Sequence, residues 1–205
     1  MHTMPRILAF VSAAALLGGV NAFPQSMQTS GSDVAQSVQQ VATRAENSVM
    51  ALAKAIPADK YNFAPSKEIF KPGSDADFAT VRTVAQQLTH LAGLPYHMLP
   101  AFGVKPDAEP DMKALNSMTS KDDILKALQA SFDYQNKVIA TLTPENAFSP
   151  KNGPFHNSLM GMLIMMMNDY GDHYGQLVEY GRMNGIVPPS TAHQMQMRHG
   201  AAPKM

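Results

Sequence analysis

LMGMLIMMMNDYGDHYGQLVEYGRMNGIVPP, residues 159–189, is the stretch whose reading decides the fold. Apolar or aromatic side chains recur at Leu159, Leu163, Met166, Tyr170, Leu177 and Tyr180. A helix of about 3.6 residues per turn gathers these positions on one face. His173 falls on that face, and Asp169 precedes it by one turn, so an imidazole and a carboxylate project side by side toward the core. The exit is equally marked. Asn184-Gly185 tolerates left-handed backbone angles and Pro188-Pro189 cannot continue a helix, so the chain must leave near Gly185. Met160, Met162, Met165, Met166 and Met167 make the first half apolar nearly all round, which reads as deformable core filling rather than a copper or haem site.

The run Asp169, His173, Tyr174, Gly175, Gln176, Leu177, then Tyr180, Arg182, Asn184, Gly185, Ile186, Val187, Pro188, Pro189 resembles the last helix of DinB-like (YfiT-like) four-helix proteins, and closely their secreted or periplasmic members. These are not the lesion-bypass polymerase of the same name. The match extends back through Ile56-Pro57-Ala58-Asp59-Lys60-Tyr61, Pro65 and Val81-Arg82-Thr83 to His90-Leu91-Ala92, covering most of residues 35–190. Gln87-Leu88-Thr89-His90-Leu91-Ala92 matches the segment in which these proteins place their first metal-binding histidine. The resemblance therefore implies a metal site of His90, Asp169 and His173. The family's usual pattern is three histidines, and here Asp169 stands where the first of a His-x-x-x-His pair would be. Aspartate still binds zinc, nickel, manganese or iron through oxygen, and two histidines plus one carboxylate leave positions open for water or substrate. The alternative is a metal-free core in which Asp169 hydrogen-bonds His173 or His90.

With 205 residues and 45% hydrophobic content the chain can bury one core, and nothing marks a second domain. Residues 1–22 read as a secretory signal peptide: Arg6, an apolar run from Ile7 to Val20, and a small-x-Ala pattern at Val20-Asn21-Ala22. The apolar run is shorter than the roughly 20 residues of a membrane span, although an uncleaved anchor is the competing reading. The expected location is periplasmic or secreted. There is no cysteine, so an exported product has neither disulfide nor lipobox. Loss of Arg6 leaves 15 basic and 16 acidic residues without a cationic cluster, which argues against nucleic acid as a partner. The expected partners are a small-molecule substrate and a second copy in a homodimer, with no membrane contact after signal cleavage.

In chain order, residues 23–31 read as a flexible leader and 32–190 as the helical domain. Ser32 or Asp33 caps a first helix carrying Val34, Val38, Val41, Ala45, Val49, Leu52 and Ile56. Tyr61 to Asp77 is an irregular connection. A second helix starts between Asp77 and Thr80 and runs through Val81, Val84, Leu88, Leu91 and Leu99, with a kink expected at Pro95. His90 and His97 share a face beside its apolar stripe. Gly103 to Ser117 reads as a crossover loop, and Ser120 with Asp123 opens a third helix carrying Ile124, Leu128, Phe132, Ile139 and Leu142. Residues 191–205 are polar and aperiodic, so His193 and His199 are expected in a disordered tail. The fold class is all-α, and the resemblance supplies its order: a four-helix bundle of DinB/YfiT type with long crossover loops.

Two functional classes follow. The resemblance implies a metal-dependent transferase that uses a low-molecular-weight thiol, with the metal lowering the pKa of thiol or water, and hydrolysis by metal-activated water is the variant. Export disfavours the thiol route, since low-molecular-weight thiol cosubstrates are cytosolic. The alternative is a non-catalytic helical module that binds a small ligand or protein through the bundle mouth. No Ser/His/Asp order, phosphate loop or dinucleotide fingerprint is present. Gly175 is expected to permit a close helix contact, and Gln176 to order a nearby ligand.

Overall fold

The computed structural model describes residues 31–69, 72, 73, 75, 77–150 and 157–200. Residues 1–22, read as a signal peptide, and nearly all of the expected leader lie outside the described residues. The described chain is all-helical: α1 Gly31–Ala55, α2 Val84–Met98, α3 Met112–Asn116, α4 Lys121–Ile139, α5 Leu159–Met183 and α6 Pro189–Gly200. Among the described residues no helix is long and apolar enough to cross a membrane.

The four long helices share one core. Both α1 and α2 pack against both α4 and α5, so α1 and α2 face each other across the ring, as do α4 and α5. That order requires crossing connections after α1 and after α4, whereas α2 and α4 are neighbours joined by the long connection that carries α3. α5 buries Leu159, Met162, Leu163, Met166, Tyr170, His173, Leu177 and Tyr180, the stripe expected from the sequence. Its methionine-rich half is not core all round, however, for Ile164 and Met165 face solvent at 61% and 40% exposure. On α1 the buried row runs through Ala42, Val49, Leu52 and Ala53 and on to Ile56 just past its end, and Val41, expected on the apolar side, is turned outward. Its neighbour Ala42 takes the core position about 100° round the helix. Leu142 is buried just beyond the end of α4.

α2 begins at Val84, later than the expected Asp77–Thr80, because Thr83 closes a capping box: its hydroxyl accepts from Gln86 N and its own N–H donates to Gln86 Oε1 at 2.9 Å. The next donors, Val84 N and Ala85 N, bond to Phe63 O and Tyr61 O, which fixes the connection against the helix entrance. Pro95 lies in the last turn and the helix continues through it to Met98.

Two further elements depart from expectation. The connection expected to be loop over residues 103–117 contains α3, capped by Asp111, which accepts from Lys113 N and Ala114 N. It docks where Gly93 opens the surface of α2; a Cβ there would meet Met112 Cε at 3.2 Å. Of the tail expected to be disordered over residues 191–205, the part up to Gly200 belongs to α6, and 201–205 lie outside the described residues. Proline cannot extend α5 but is suited to the first position of a new helix, and Pro189 takes it. The turn between is made by Gly185 at φ 73°, with Ile186 N bonded to Gly181 O. α6 is held by Tyr174 Oη against Ser190 Oγ at 3.0 Å and by Arg182, which donates to Thr191 Oγ1.

The core contains one polar chain linking α1, α4 and α5. Gln135 Nε2 and Asn136 Nδ2 donate to the Glu46 carboxylate at 2.6 and 3.2 Å, and Tyr170 Oη donates to Gln135 Oε1 at 3.0 Å. Burial raises the Glu46 carboxyl above its ordinary pKa, against the lowering effect of these amide donors.

Candidate metal centre

α2 and α5 place His90, Asp169 and His173 together, and one potential ligand atom from each lies within 4.8 Å of the others. His90 Nε2 is 3.1 Å from Asp169 Oδ2, and His173 Nε2 is 3.9 Å from Asp169 Oδ1. Donors about 2.0–2.1 Å from a tetrahedral ion stand roughly 3.3 Å apart, so the observed separations bracket what a small divalent ion needs. The two imidazole centroids are 4.9 Å apart with ring planes at 59°. His173 is 5% exposed, whereas His90 and Asp169 are about one-third exposed at the side chain and open the group to a cavity.

The protonation of His173 follows from its neighbours. Arg82 Nη1 is 3.5 Å from His173 Nε2, and a guanidinium only donates, so Nε2 accepts and the ring proton is on Nδ1. Nδ1 is 3.0 Å from Gln87 Oε1 and donates to it. Gln87 thus holds the ring with its Nε2 lone pair aimed into the group, the arrangement that metal-ligating histidines require. Burial pushes the His173 imidazole below its ordinary pKa, opposed by Asp169 and reinforced by His90 and Arg82. A histidine kept neutral is in its ligand form. His90 Nε2 faces a carboxylate, which only accepts, so that nitrogen carries the proton here and would yield it to Nδ1 on ligation. By donor type, spacing and orientation, the residues fit a divalent ion.

Gln87 itself is fully buried, and its Nε2 makes no hydrogen bond of good geometry, only a weak interaction with the Tyr180 hydroxyl. Leaving a buried amide donor unpaired costs about 1–3 kcal/mol. The same residue makes the 3.0 Å bond to His173 Nδ1, which offsets part of that cost.

A cavity of about 750 Å³ opens over the group, lined by Thr80, Arg82, His90, Asp169, Asp172, His173, Gln176 and Tyr180 among others. Tyr180 Oη donates to Arg82 O at 3.3 Å and its ring stands edge-on to Phe63, so α5 and the connection before α2 fix the cavity wall jointly.

All three candidate ligands named from the sequence therefore meet. His97 is exposed and does not join them, and His193, on α6, is not part of the group; the side chain of His199 lies outside the described residues. Gly175 faces open space rather than a close helix contact. Gln176 is at the cavity rim, its amide donating to Asp172 Oδ2 at 2.8 Å. Sequence reasoning assigned no role to Gln87 or Arg82. Gln87 had a signal: it falls on the Val84–Leu88–Leu91 stripe, where an amide is out of place unless it has an internal partner. Arg82 had only its place in the Val81-Arg82-Thr83 match, which names no role, because its position at the site depends on how the connection from residue 56 folds back.

A family model described as the DinB superfamily matches residues 41–177, a range that contains Arg82, Gln87, His90, Asp169 and His173. No curated protein matches the chain.

Proposed function

The chain belongs to the DinB superfamily, and from that premise we propose that it is an exported four-helix bundle of the DinB/YfiT type which binds a divalent metal ion through His90, Asp169 and His173 and acts as a metal-dependent hydrolase. The observation that carries the reading is the convergence of three ligand-type side chains from two helices, one of them with its tautomer fixed from behind. Zinc, nickel, manganese and iron are all compatible with two imidazoles and a carboxylate. When bound, such an ion supplies Lewis acidity and lowers the pKa of water.

The chain's own residues account for the rest. Gln87 holds the His173 Nδ1 proton and so the ring orientation. Asp169, shared between two imidazoles, contributes the negative charge that a divalent ion requires. Arg82, Thr80, Gln176 and Tyr180 surround a space large enough for a small molecule. Export is supported by the N-terminal pattern around Arg6 and Ala22, and it removes the protein from cytosolic thiols, which makes water the nucleophile.

The test is a panel of small esters, amides and lactones presented to the metal-loaded protein, the chelated protein and Asp169→Asn. Hydrolysis that disappears on chelation, returns with metal and is lost in the variant is the expected result. Stoichiometric metal with no turnover on any substrate would leave a non-catalytic ligand-binding bundle.

A further inference from the structure

Arg82 is unusual among the residues at the metal centre. Its main chain is fixed on both sides: Tyr180 Oη bonds its carbonyl, the next residue is the N-cap of α2, and the residue after that bonds Phe63 O. Its guanidinium is exposed and, among the described residues, forms no salt bridge; its only hydrogen-bonding contact is the 3.5 Å approach to His173 Nε2. That nitrogen is the one an ion would take. A metal and a guanidinium cannot share one lone pair, so loading the site frees the guanidinium while its anchored backbone keeps it beside the ion. It stands where the 750 Å³ cavity meets a second one of about 450 Å³; Thr80, Val81, Arg82 and His90 line both.

We infer that Arg82 binds the carboxylate of the substrate, so that the metal centre takes small carboxylate-bearing molecules. This rests on the metal-binding reading above. Charge argues for a monoanionic group. Arg82 offsets one of the two carboxylates lining the cavity, Asp169 and Asp172, and a divalent ion more than offsets the other. What remains is the equivalent of one positive charge, which a single carboxylate neutralises and a phosphate dianion exceeds. The planar guanidinium also matches a carboxylate in a two-bond fork, a geometry lysine cannot supply.

The experiment loads the full-length protein and its Arg82→Gln and Arg82→Lys variants with cobalt(II). Metal uptake is read from metal analysis, and ligand binding from the cobalt absorption spectrum and calorimetry, with propionate, neutral propionamide and inorganic phosphate as probes. All three proteins are expected to take up cobalt equally. Propionate should bind the wild type at least about tenfold more tightly than either variant, the scale of a charge-assisted hydrogen-bond pair, while propionamide should not distinguish them. Equal propionate affinity in cobalt-loaded wild type and variants would overturn the role of Arg82 and leave the metal site standing. Tighter binding of phosphate than of propionate would overturn the carboxylate assignment. Absence of cobalt from the wild type would overturn the metal site, and this inference with it.

Discussion

Replacing Gln87 with methionine separates the two tasks that a buried polar residue can have. The side chains are close in length, so packing against the fully buried surroundings of Gln87 changes little. Two polar terms then oppose each other. The substitution removes the poorly satisfied buried amide nitrogen, which recovers at most about 1–3 kcal/mol because that nitrogen keeps a weak interaction with the Tyr180 hydroxyl. It also strips His173 Nδ1 of its 3.0 Å acceptor, which costs about the same. Unfolding free energy of the metal-free protein should therefore stay within about 1 kcal/mol of wild type. Metal affinity should not stay. With Nδ1 unheld the ring can turn and the tautomer is no longer fixed, and losing such a support typically weakens binding about 10- to 100-fold. Urea denaturation measures the first quantity and competition against a chromophoric chelator the second. An unchanged metal affinity would refute the orienting role. A loss of stability above about 3 kcal/mol would show instead that Gln87 serves the core.

Metal-free protein should lose stability as pH falls below about 6.5, because the depressed pKa of His173 favours its neutral form in the fold; that contribution is complete above the unfolded value and disappears as pH falls through the folded one. Denaturation midpoints from pH 7 to 5, compared with His173→Gln, should show this component only in the wild type. Glu46 has the opposite sign. Its raised pKa means that the protonated form stabilises the fold below the ordinary value of 4.5, and that this is lost as pH rises through the folded pKa. The stability of Glu46→Gln relative to wild type should accordingly shift in favour of the variant between pH 4.5 and 7, measured by the same titration. In the core, Leu88→Ala at a fully buried site should cost about 2–5 kcal/mol, whereas Ile164→Ser on the solvent face of α5 should change stability by no more than about 0.5 kcal/mol.

The long helices were legible because each buries one stripe, and burial writes a period into the sequence: Leu159 to Tyr180 on α5 and Ile124 to Phe132 on α4 reappear as core. Where a helix buries little, the period fails. α3 contributes Leu115 alone, and α6 is polar, held to α5 by hydroxyl contacts from Ser190 and Thr191 that leave no pattern of hydrophobicity. The pairing of Asp169 with His173 was legible from one helical turn on one helix. His90 was not, since nothing local says which residue of α2 faces α5; only the resemblance to a known family marked it. Gln87 and Arg82 act through tertiary contacts, one through a bond across the helix interface and the other through a connection that folds back on α2.

Metal content tests the central claim most directly. The full-length protein, expressed without a histidine tag and purified without chelator, should carry close to one divalent ion per chain by elemental analysis, and His173→Ala should carry almost none while keeping its helical circular dichroism. Wild-type protein that remains metal-free after incubation with zinc, nickel, manganese and iron(II) would contradict the account and leave Asp169 as the hydrogen-bond partner of His90 in a metal-free helical protein.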